Sequence, residues 1–173
     1  MTKYERVNLI SVDLAMHQTG LAFFHDTELI NTQTLEETIK GKYQELNIEQ
    51  LEELKGTLLP FLSDYKEQAL VLVEWTPQDI NKRLEKYQIS VISYLAGLGY
   101  KVLPINADRW LRILNNMVPI KRDKYPAGRQ GNKDWLVALT KHIGALKEYA
   151  FKSQDEIDAT MMGLTYEYKK AMF

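Results

Sequence analysis

Four acidic residues lie in parts of the sequence where an acidic side chain is unexpected. Asp13 falls within a short β-branched apolar run, and Glu74 directly follows a second run of this kind. Asp155 and Asp158 stand near the start of an apolar-faced helical segment. A carboxylate buried without a partner costs several kcal/mol, so each acid needs a cation, hydrogen-bond donors or solvent beside it. Together the four are candidate ligands of a metal ion.

Each acid also has an ordinary explanation. Asp13 can be an exposed strand-end residue that caps a turn, and Asp155 is a favourable partner for the positive end of a helix. Asp158 is harder to explain in this way. It is followed by Ala159 and Met162 at helical spacing, on the face that should pack inward.

Hydrophobic alternation and continuous apolar runs predict five strands. Residues 7–24 form two of them around a turn at Gln18, Thr19 and Gly20. The other three strands span residues 28–35, 69–73 and 100–105. The third strand pairs antiparallel with the second, and the fourth has the uninterrupted apolar pattern of a central strand covered on both faces.

Helical periodicity predicts five helices. The first follows a polar link of residues 36–46 and is weakened at Gly56 and Pro60. Asp79 or Asn81 caps the second, and Ser153 opens the last with the spacing of a capping box. The helices span residues 48–67, 81–98, 107–114, 134–149 and the segment after residue 153. Residues 115–133 form a long basic loop.

A sheet of order 3-2-1-4-5 would place the first and fourth strands side by side, so that Asp13 and Glu74 converge. A last helix packed across the sheet would bring Asp155 and Asp158 to the same point. Four adjacent carboxylates repel one another unless cations neutralise them. Mg²⁺ and Mn²⁺ prefer oxygen ligands, and a pair about 3.5–4 Å apart is the usual arrangement for attack of water on a phosphodiester.

The composition is that of one globular domain, spanning residues 1–173. Hydrophobic residues make up 45% and charged residues 26%, which argues against disorder. The sequence has no cysteine and three histidines, so disulfides and thiolate zinc sites are excluded and carboxylates are the favoured metal ligands. No apolar run approaches the ~18 residues of a membrane span, and the N-terminus lacks a secretion signal. A cytosolic protein is expected.

The net charge of −1 conceals an asymmetry along the chain. Residues 28–67 contain nine acids and four bases, whereas residues 101–133 contain eight bases and two acids. Such a basic segment is typical of phosphate binding, although a solvated loop also produces it. Tyr125 within it is placed to stack on a base. The candidate phosphate contacts are Arg109, Arg112, Lys121, Arg122, Lys124, Arg129 and Lys133.

The predicted helix of residues 81–98 has an unusually wide apolar arc. Ile89, Ile92 and Ala96 extend it well beyond the stripe that one sheet face can cover. A helix apolar over more than ~100° is buried on two sides, by a thick core or by a partner subunit. The pattern therefore favours a homodimer through this helix, with deep burial as the alternative.

The sequence resembles the RNase H-like superfamily and, within it, the RuvC-type Holliday junction resolvases. Three segments carry the resemblance over most of the chain: residues 12–20 (Val-Asp-Leu-Ala-Met-His-Gln-Thr-Gly), residues 72–74 (Leu-Val-Glu) and residues 155–159 (Asp-Glu-Ile-Asp-Ala). The chain departs from the family at Leu14 and Ala15, where Pro-Gly is usual. It has Pro77 where the family often has an aromatic residue for the junction centre, and Trp75 is the nearest aromatic.

The resemblance implies an α/β RNase H-like fold with a five-stranded mixed sheet of order 3-2-1-4-5 flanked by helices. It implies a crossover junction endodeoxyribonuclease that nicks four-way DNA junctions as a homodimer in the cytoplasm of a bacterium or a phage-infected cell. A compact, cysteine-free chain is compatible with a phage-encoded member. Asp13, Glu74, Asp155 and Asp158 would be the catalytic residues and hold two Mg²⁺ or Mn²⁺ ions.

Three other functions remain open at this point. One is an RNase H-like nuclease that acts on other branched DNA or on RNA–DNA hybrid. Another is an actin-like ATPase or sugar kinase, because the segment from Asp13 to Gly20 also resembles the phosphate hairpin of those proteins. They need two such domains and a cleft, which 173 residues do not supply. The third is a junction-binding protein without activity, which would have no evident use for four acids.

Overall fold

The computed structural model describes residues 6–15, 18–36, 56–76 and 82–173. Five strands form one mixed sheet of order β3-β2-β1-β4-β5, which confirms the predicted fold class and topology. The strands are β1 Leu9–Leu14, β2 Gln18–His25, β3 Glu28–Glu36, β4 Leu70–Trp75 and β5 Lys101–Asn106. Strands β1, β2 and β3 run antiparallel, whereas β4 is parallel to both β1 and β5.

Strand β1 is the centre of the sheet, between β2 and β4, and all six of its residues are buried. A strand covered on both faces needs apolar side chains in both directions, and this explains its run of leucine, isoleucine and valine. Ser11 and Asp13 are the two polar exceptions. Asp13 is only 8% exposed, and by strand alternation it lies on the same face as Leu9.

The described part of the chain contains five α-helices. They are α1 Leu59–Leu62, α2 Lys82–Gly97, α3 Ala107–Met117, α4 Arg129–Thr140 and α5 Gln154–Lys169. Short 3-10 helices lie at Ser63–Tyr65, Arg122–Lys124, Gly144–Leu146 and Lys170–Met172. No helix among these residues is both long enough and apolar enough to span a membrane.

Two hydrophobic cores lie on opposite faces of the sheet. On the first face, Tyr87, Val91 and Leu95 of α2 pack with Val12 of β1 and its neighbours. On the second face, the cluster is built from side chains of α3, α4 and α5, with Trp135 fully buried. Each large side chain buried in this way contributes roughly 1.5–3 kcal/mol, so the two cores fix α2 and α5 firmly against the sheet.

Three of the predicted helices have different bounds in the structure. The helix predicted for residues 48–67 is interrupted at Leu58, and Pro60 lies in the first turn of α1, where a missing backbone N–H costs nothing. The helix predicted for residues 134–149 begins at Arg129 and ends at Thr140. The third begins at Ala107 as predicted, but extends to Met117.

The predictions for residues 16–17, 37–55 and 77–81 lie outside the described residues. They include the polar link, the first part of the first predicted helix, Pro77 and the caps at Asp79 or Asn81.

Candidate metal centre

Two neighbouring parallel strands bring the first pair of acids together. Val12 of β1 pairs with Val73 of β4, so Asp13 and Glu74, one residue further along each strand, lie side by side at the same edge of the sheet. Their carboxyl groups share a hydrogen bond. Trp110 of α3 also donates to Glu74, with 3.4 Å between Nε1 and Oε1.

Helix α5 carries the second pair of acids, Asp155 and Asp158, to the same place. Ser153 caps its first turn by accepting a hydrogen bond from the backbone N–H of Glu156, as the sequence predicted. One carboxylate oxygen each from Asp13, Asp155 and Asp158 lies within 4.8 Å of the other two. Glu74 is outside this group of three, but it is attached to it through its hydrogen bond with Asp13. The structure thus gathers all four predicted acids at one place.

Without a cation, this arrangement disfavours the charged form of every member. Burial raises the pKa of Asp13 well above its ordinary value of 3.8, and the adjacent Glu74 and Asp155 carboxyls raise it further. Burial and Asp13 raise the pKa of Asp158 to about 8. Burial also raises the pKa of Glu74 and of Asp155. A divalent cation placed among these acids would favour their charged forms and relieve the cost of bringing them together.

Two basic residues of α4 face the acids across a cavity of about 470 Å³. Arg129 and Lys133 stand one helical turn apart and line this cavity together with Asp13, Glu74 and Asp158. Their positive charges lower the pKa of Asp155, opposing the effect of burial. The cavity therefore has an acidic wall and a basic wall, which suits a phosphate group accompanied by cations.

Solved structures of Holliday junction resolvases share this architecture, although no protein-family model and no curated protein matches the sequence. RuvC of T. thermophilus in complex with a Holliday junction aligns with a TM-score of 0.61 at 16% identity, covering 95% of both chains. The Fowlpox virus resolvase in complex with its Holliday junction gives 0.59 at 15% identity, covering 94% of this chain and 97% of the resolvase. Ydc2, the yeast mitochondrial resolvase, gives 0.50 at 14% identity, covering 98% and 82%.

The chain has the RuvC-type fold. At these identities the likeness concerns the fold alone, and the roles of individual side chains depend on their geometry in this molecule.

Several predicted phosphate contacts of this RuvC-type fold already have partners within the chain. Arg122 donates to the side chain of Asn132 and to the carbonyls of Tyr125 and Gly128, which closes the loop before α4. Lys121 donates to the carbonyl of Asn115 at 2.8 Å. These contacts give Lys121 and Arg122 a structural role. Whether they also meet phosphates stays a prediction.

The other predicted nucleic-acid contacts are spread around the fold. Arg109 donates to the carbonyl of Met172 and lies over the Phe173 ring, so it anchors the C-terminal residues. Arg112 and Lys124 are exposed. Trp75 ends β4 and is half-buried, and Tyr125 packs in part against the second core. The cavity that contains the acids is therefore lined by Arg129 and Lys133 but by none of the other predicted phosphate contacts.

The prediction of a loop over residues 115–133 is wrong at both ends, because α3 runs to Met117 and α4 starts at Arg129. Gly131 and Asn132 are poor helix formers, and this composition favoured a loop. The structure explains the glycine differently: a Cβ at position 131 would overlap the carbonyl oxygen of Pro126. Helical backbone here is what places Arg129 and Lys133 on one side of α4, facing the acids.

Gln88 is a contributor to the site that the sequence pattern did not reveal. It is 1% exposed, and its amide accepts from the backbone N–H of Thr76 at 2.9 Å and donates to the carbonyl of Leu14 at 3.3 Å. It therefore ties together the ends of β1 and β4 just beyond Asp13 and Glu74. The only indication of this role in the sequence is that a polar residue lies within the apolar arc of α2.

The raised pKa values predict that the metal-free protein loses stability as the pH rises. Asp158 ionises near 3.8 when exposed but near pH 8 in the folded chain. Between these values the folded state keeps a proton that the unfolded state has released, so a rise in pH favours unfolding. The stabilising contribution of the protonated group is complete below about pH 4 and is lost through about pH 8.

Urea unfolding in chelator, between about pH 5 and about pH 9, measures this dependence. The Asp158→Asn variant cannot ionise at this position, so its free energy of unfolding should fall less steeply than that of the wild type. Parallel profiles for the two proteins would contradict the raised pKa of Asp158.

Proposed function

We propose that this chain is a divalent-metal-dependent, structure-selective endodeoxyribonuclease that nicks four-way DNA junctions, a crossover junction endodeoxyribonuclease in a single RNase H-like domain. The observation that carries the proposal is the group formed by Asp13, Asp155 and Asp158, with Glu74 attached to Asp13. This group lies on a fold shared with resolvases whose structures include Holliday junction DNA.

The donor set fits hard divalent cations. All the candidate ligands are carboxylate oxygens, which Mg²⁺ and Mn²⁺ prefer, and their mutual repulsion is relieved by added positive charge. We propose that Asp13, Glu74, Asp155 and Asp158 hold two such ions. When bound, they would supply Lewis-acid polarisation of a phosphoryl oxygen and a more acidic water nucleophile.

The residues around the acids have separate tasks in this proposal. Arg129 and Lys133, on the opposite wall of the cavity, bind the phosphates that flank the cleaved bond. Trp110 holds the Glu74 carboxylate in place through its indole N–H. Gln88 keeps the ends of β1 and β4 at a fixed separation. The wall of the cavity is thus formed before DNA arrives, which limits the reorganisation needed for cleavage.

The direct test is incubation with labelled four-way junction, linear duplex and RNA–DNA hybrid, each with Mg²⁺ and each with chelator. Nicking of the junction only, and only with Mg²⁺, is the expected result. Preferred cleavage of the hybrid would assign the chain to RNase H-like nucleases of another specificity. Absence of cleavage on every substrate, with intact junction binding, would favour a junction-binding protein without activity.

Neutralising the two cavity bases should weaken junction binding in a salt-dependent way. The double variant Arg129→Gln/Lys133→Gln removes two phosphate contacts, so the slope of log affinity against log salt should flatten by roughly one to two units. Gel shifts in chelator at several salt concentrations measure this slope.

A matched control also removes two positive charges, but at the opposite end of the sheet. Lys101 begins β5, and Lys66 lies beside Tyr100 at the same end, opposite the edge that carries the acids. The variant Lys66→Gln/Lys101→Gln should leave the slope unchanged. Equal slopes in all three proteins would show that the bases on α4 make no phosphate contact.

We further propose a homodimer through α2, so that two sites meet the two strands to be cut. The first core takes up much of the predicted apolar arc, since Val91 is buried and Ile92 is partly buried. Ile89 remains 46% exposed, and Ala96, two turns further along the same side, is also exposed.

Light scattering should give about twice the chain mass of 20.1 kDa. Ile89→Glu should shift the protein toward monomer, because a charge cannot be buried there without a partner. Leu98→Glu alters an exposed apolar residue beyond the end of α2 and is the control that should stay dimeric. A monomeric wild type at micromolar concentration would refute this interface.

A further inference from the structure

The first turn of α5 carries one more acid, Glu156, which is completely buried and belongs to no candidate metal group among the described residues. Its carboxylate accepts three hydrogen bonds. The hydroxyls of Thr32 and Thr34 donate to it at 2.9 and 2.8 Å, and the backbone N–H of Lys152 donates at 2.9 Å. A buried carboxylate is tolerated only with such a set of donors, and the set also fixes its position.

The sequence suggested a capping box at this position, and only half of it forms. Ser153 accepts from the backbone N–H of Glu156, but the Glu156 side chain turns to β3 instead of reaching back to Ser153. Thr34 is the common partner, since its hydroxyl lies 2.8 Å from both Glu156 Oε1 and Ser153 Oγ. The start of α5 is therefore joined to β3 by side chains, in addition to its apolar packing.

The register of the sheet shows what this connection does. Asp13, Gly20 and Thr34 lie side by side across β1, β2 and β3. The backbone of the first turn of α5 lies directly over Gly20, at a distance that a side chain there would not allow. On one side of that point Glu156 is bonded to β3. On the other side the neighbouring acids of α5 reach Asp13 on β1.

We propose that Glu156 is a positioning residue of the metal centre. Its bonds to Thr32 and Thr34 set the rotation and height of the first turn of α5. Asp155 and Asp158 thereby arrive at Asp13 with their oxygens already at ligand spacing. This inference rests on the proposed function, because it assumes that these acids hold a metal. Glu156 itself touches neither metal nor substrate.

The alternative role is plain stability, in which the three bonds merely satisfy a buried charge. A second alternative is that the negative charge of Glu156 attracts the cation from a distance. Metal affinity separates these roles when it is measured on variants that still fold. A stability role affects unfolding alone, an electrostatic role follows the charge, and a positioning role follows the hydrogen bonds.

The informative variants keep the size of the side chain and remove its charge, its hydrogen bonds or both. Thr34→Val removes a donor and keeps the volume. Glu156→Gln removes the charge but can keep all three contacts, because a threonine hydroxyl can also accept a bond. Glu156→Leu removes both charge and bonds. Thr160→Val is the matched control for the change of threonine to valine. Thr160 lies on α5 and is as completely buried as Glu156, but its hydroxyl has no hydrogen-bond partner within the described chain.

The measurements are calorimetric titration with Mn²⁺ alone, unfolding in chelator, and junction affinity in chelator. Thr34→Val and Glu156→Leu should weaken Mn²⁺ binding by about 10–100-fold, the range typical when residues that orient metal ligands are changed. Glu156→Gln and Thr160→Val should bind Mn²⁺ as the wild type does. Junction affinity in chelator should stay unchanged in all four. If Glu156→Leu does not fold, Thr34→Val decides.

Two results would overturn the inference while leaving the proposed function intact. Wild-type Mn²⁺ affinity in both Thr34→Val and Glu156→Gln would reduce Glu156 to a stability role. A loss of affinity in Glu156→Gln but not in Thr34→Val would assign the effect to charge, because only the glutamine variant removes the charge. A wild type that binds no Mn²⁺ would instead refute the proposed function, and the inference with it.

Discussion

Replacing Asp13 by Asn, Glu74 by Gln or Asp158 by Asn is expected to abolish junction cleavage by several orders of magnitude. The same change should leave the metal-free protein as stable as the wild type, or more stable. The loss of cleavage and the gain in stability both follow from the electrostatics of the site. In the absence of metal the acids repel one another, and their raised pKa values record the cost of that repulsion and of burial.

An amide of the same shape is neutral without binding a proton, so folding no longer has to keep a carboxyl protonated or hold its charge beside the other acids, and the apo protein gains stability. The same amide is a weak metal ligand, so the polarisation of the phosphate that a bound cation would supply is lost. Stability and activity therefore move in opposite directions, as is common for residues selected for catalysis at the expense of stability.

Three measurements check this result: nicking of a four-way junction with Mg²⁺, thermal melting with and without Mg²⁺, and junction affinity in chelator. Mg²⁺ should raise the melting temperature of the wild type, because it binds only the folded state, and this rise should disappear in the variants. Junction binding should persist, since the proposed phosphate contacts lie on α4 and in the basic segment before it.

Asp108→Asn is the matched control for this series. Asp108 lines the same cavity but is exposed and is not one of the four acids. Its replacement should leave cleavage and the Mg²⁺-dependent rise in melting temperature near wild type. Full cleavage by any of the three acid variants would remove that residue from the metal site. Loss of folding in Asp158→Asn would make its carboxylate a structural acceptor, satisfied by the Gln154 amide at 2.7 Å.

The four acids could be singled out from the sequence for an identifiable reason, whereas the sheet order that brings them together was implied by the resemblance to RuvC-type resolvases. Strand patterns have a period of two, and each acid interrupts a pattern that is otherwise apolar. Asp13 and Glu74 are such interruptions in the apolar runs of β1 and β4. A local violation of patterning is visible in sequence without knowledge of which elements meet.

Features that depend on which elements meet could not be predicted in this way. Arg122 is indistinguishable in sequence from the other bases of its segment, yet its guanidinium closes the loop before α4. Glu156 had the spacing of a local cap, but its partners lie on β3, more than a hundred residues earlier. Glu156 thus makes long-range hydrogen bonds that outweigh its local pattern, whereas Arg122 is fixed by partners within its own segment.

Gly20 shows the same limitation, since its neighbours Gln18 and Thr19 suggested a turn. The structure places it within β2, paired with Asp13 on one side and Thr34 on the other. Its backbone is not in the left-handed region, so flexibility is not the reason for glycine here. The reason is space: a Cβ at this position would overlap the carbonyl oxygen of Asp155 and would lie 2.8 Å from the backbone nitrogen of Glu156.

Gly20→Ala is therefore expected to destroy the metal centre. The overlapped atoms belong to the backbone of α5 and cannot rotate away, so the first turn of the helix must lift from the sheet. Overpacking of this kind costs about 1–3 kcal/mol of stability. The larger effect concerns geometry, because Asp155 and Asp158 move with the turn and lose their spacing to Asp13. Cleavage and the Mg²⁺-dependent rise in melting temperature should both disappear.

Gly163→Ala separates this local effect from general destabilisation. Gly163 lies two turns further along α5, where an added methyl group would meet the ring of Phe24. The variant should lose stability by a similar mechanism, yet it should retain metal binding and cleavage because the first turn of α5 stays in place. Gly144→Ala, which has no atoms near the added methyl group, should resemble the wild type in both respects. If Gly20→Ala binds Mg²⁺ and cleaves junctions as the wild type does, α5 does not approach β2 as closely as this packing requires.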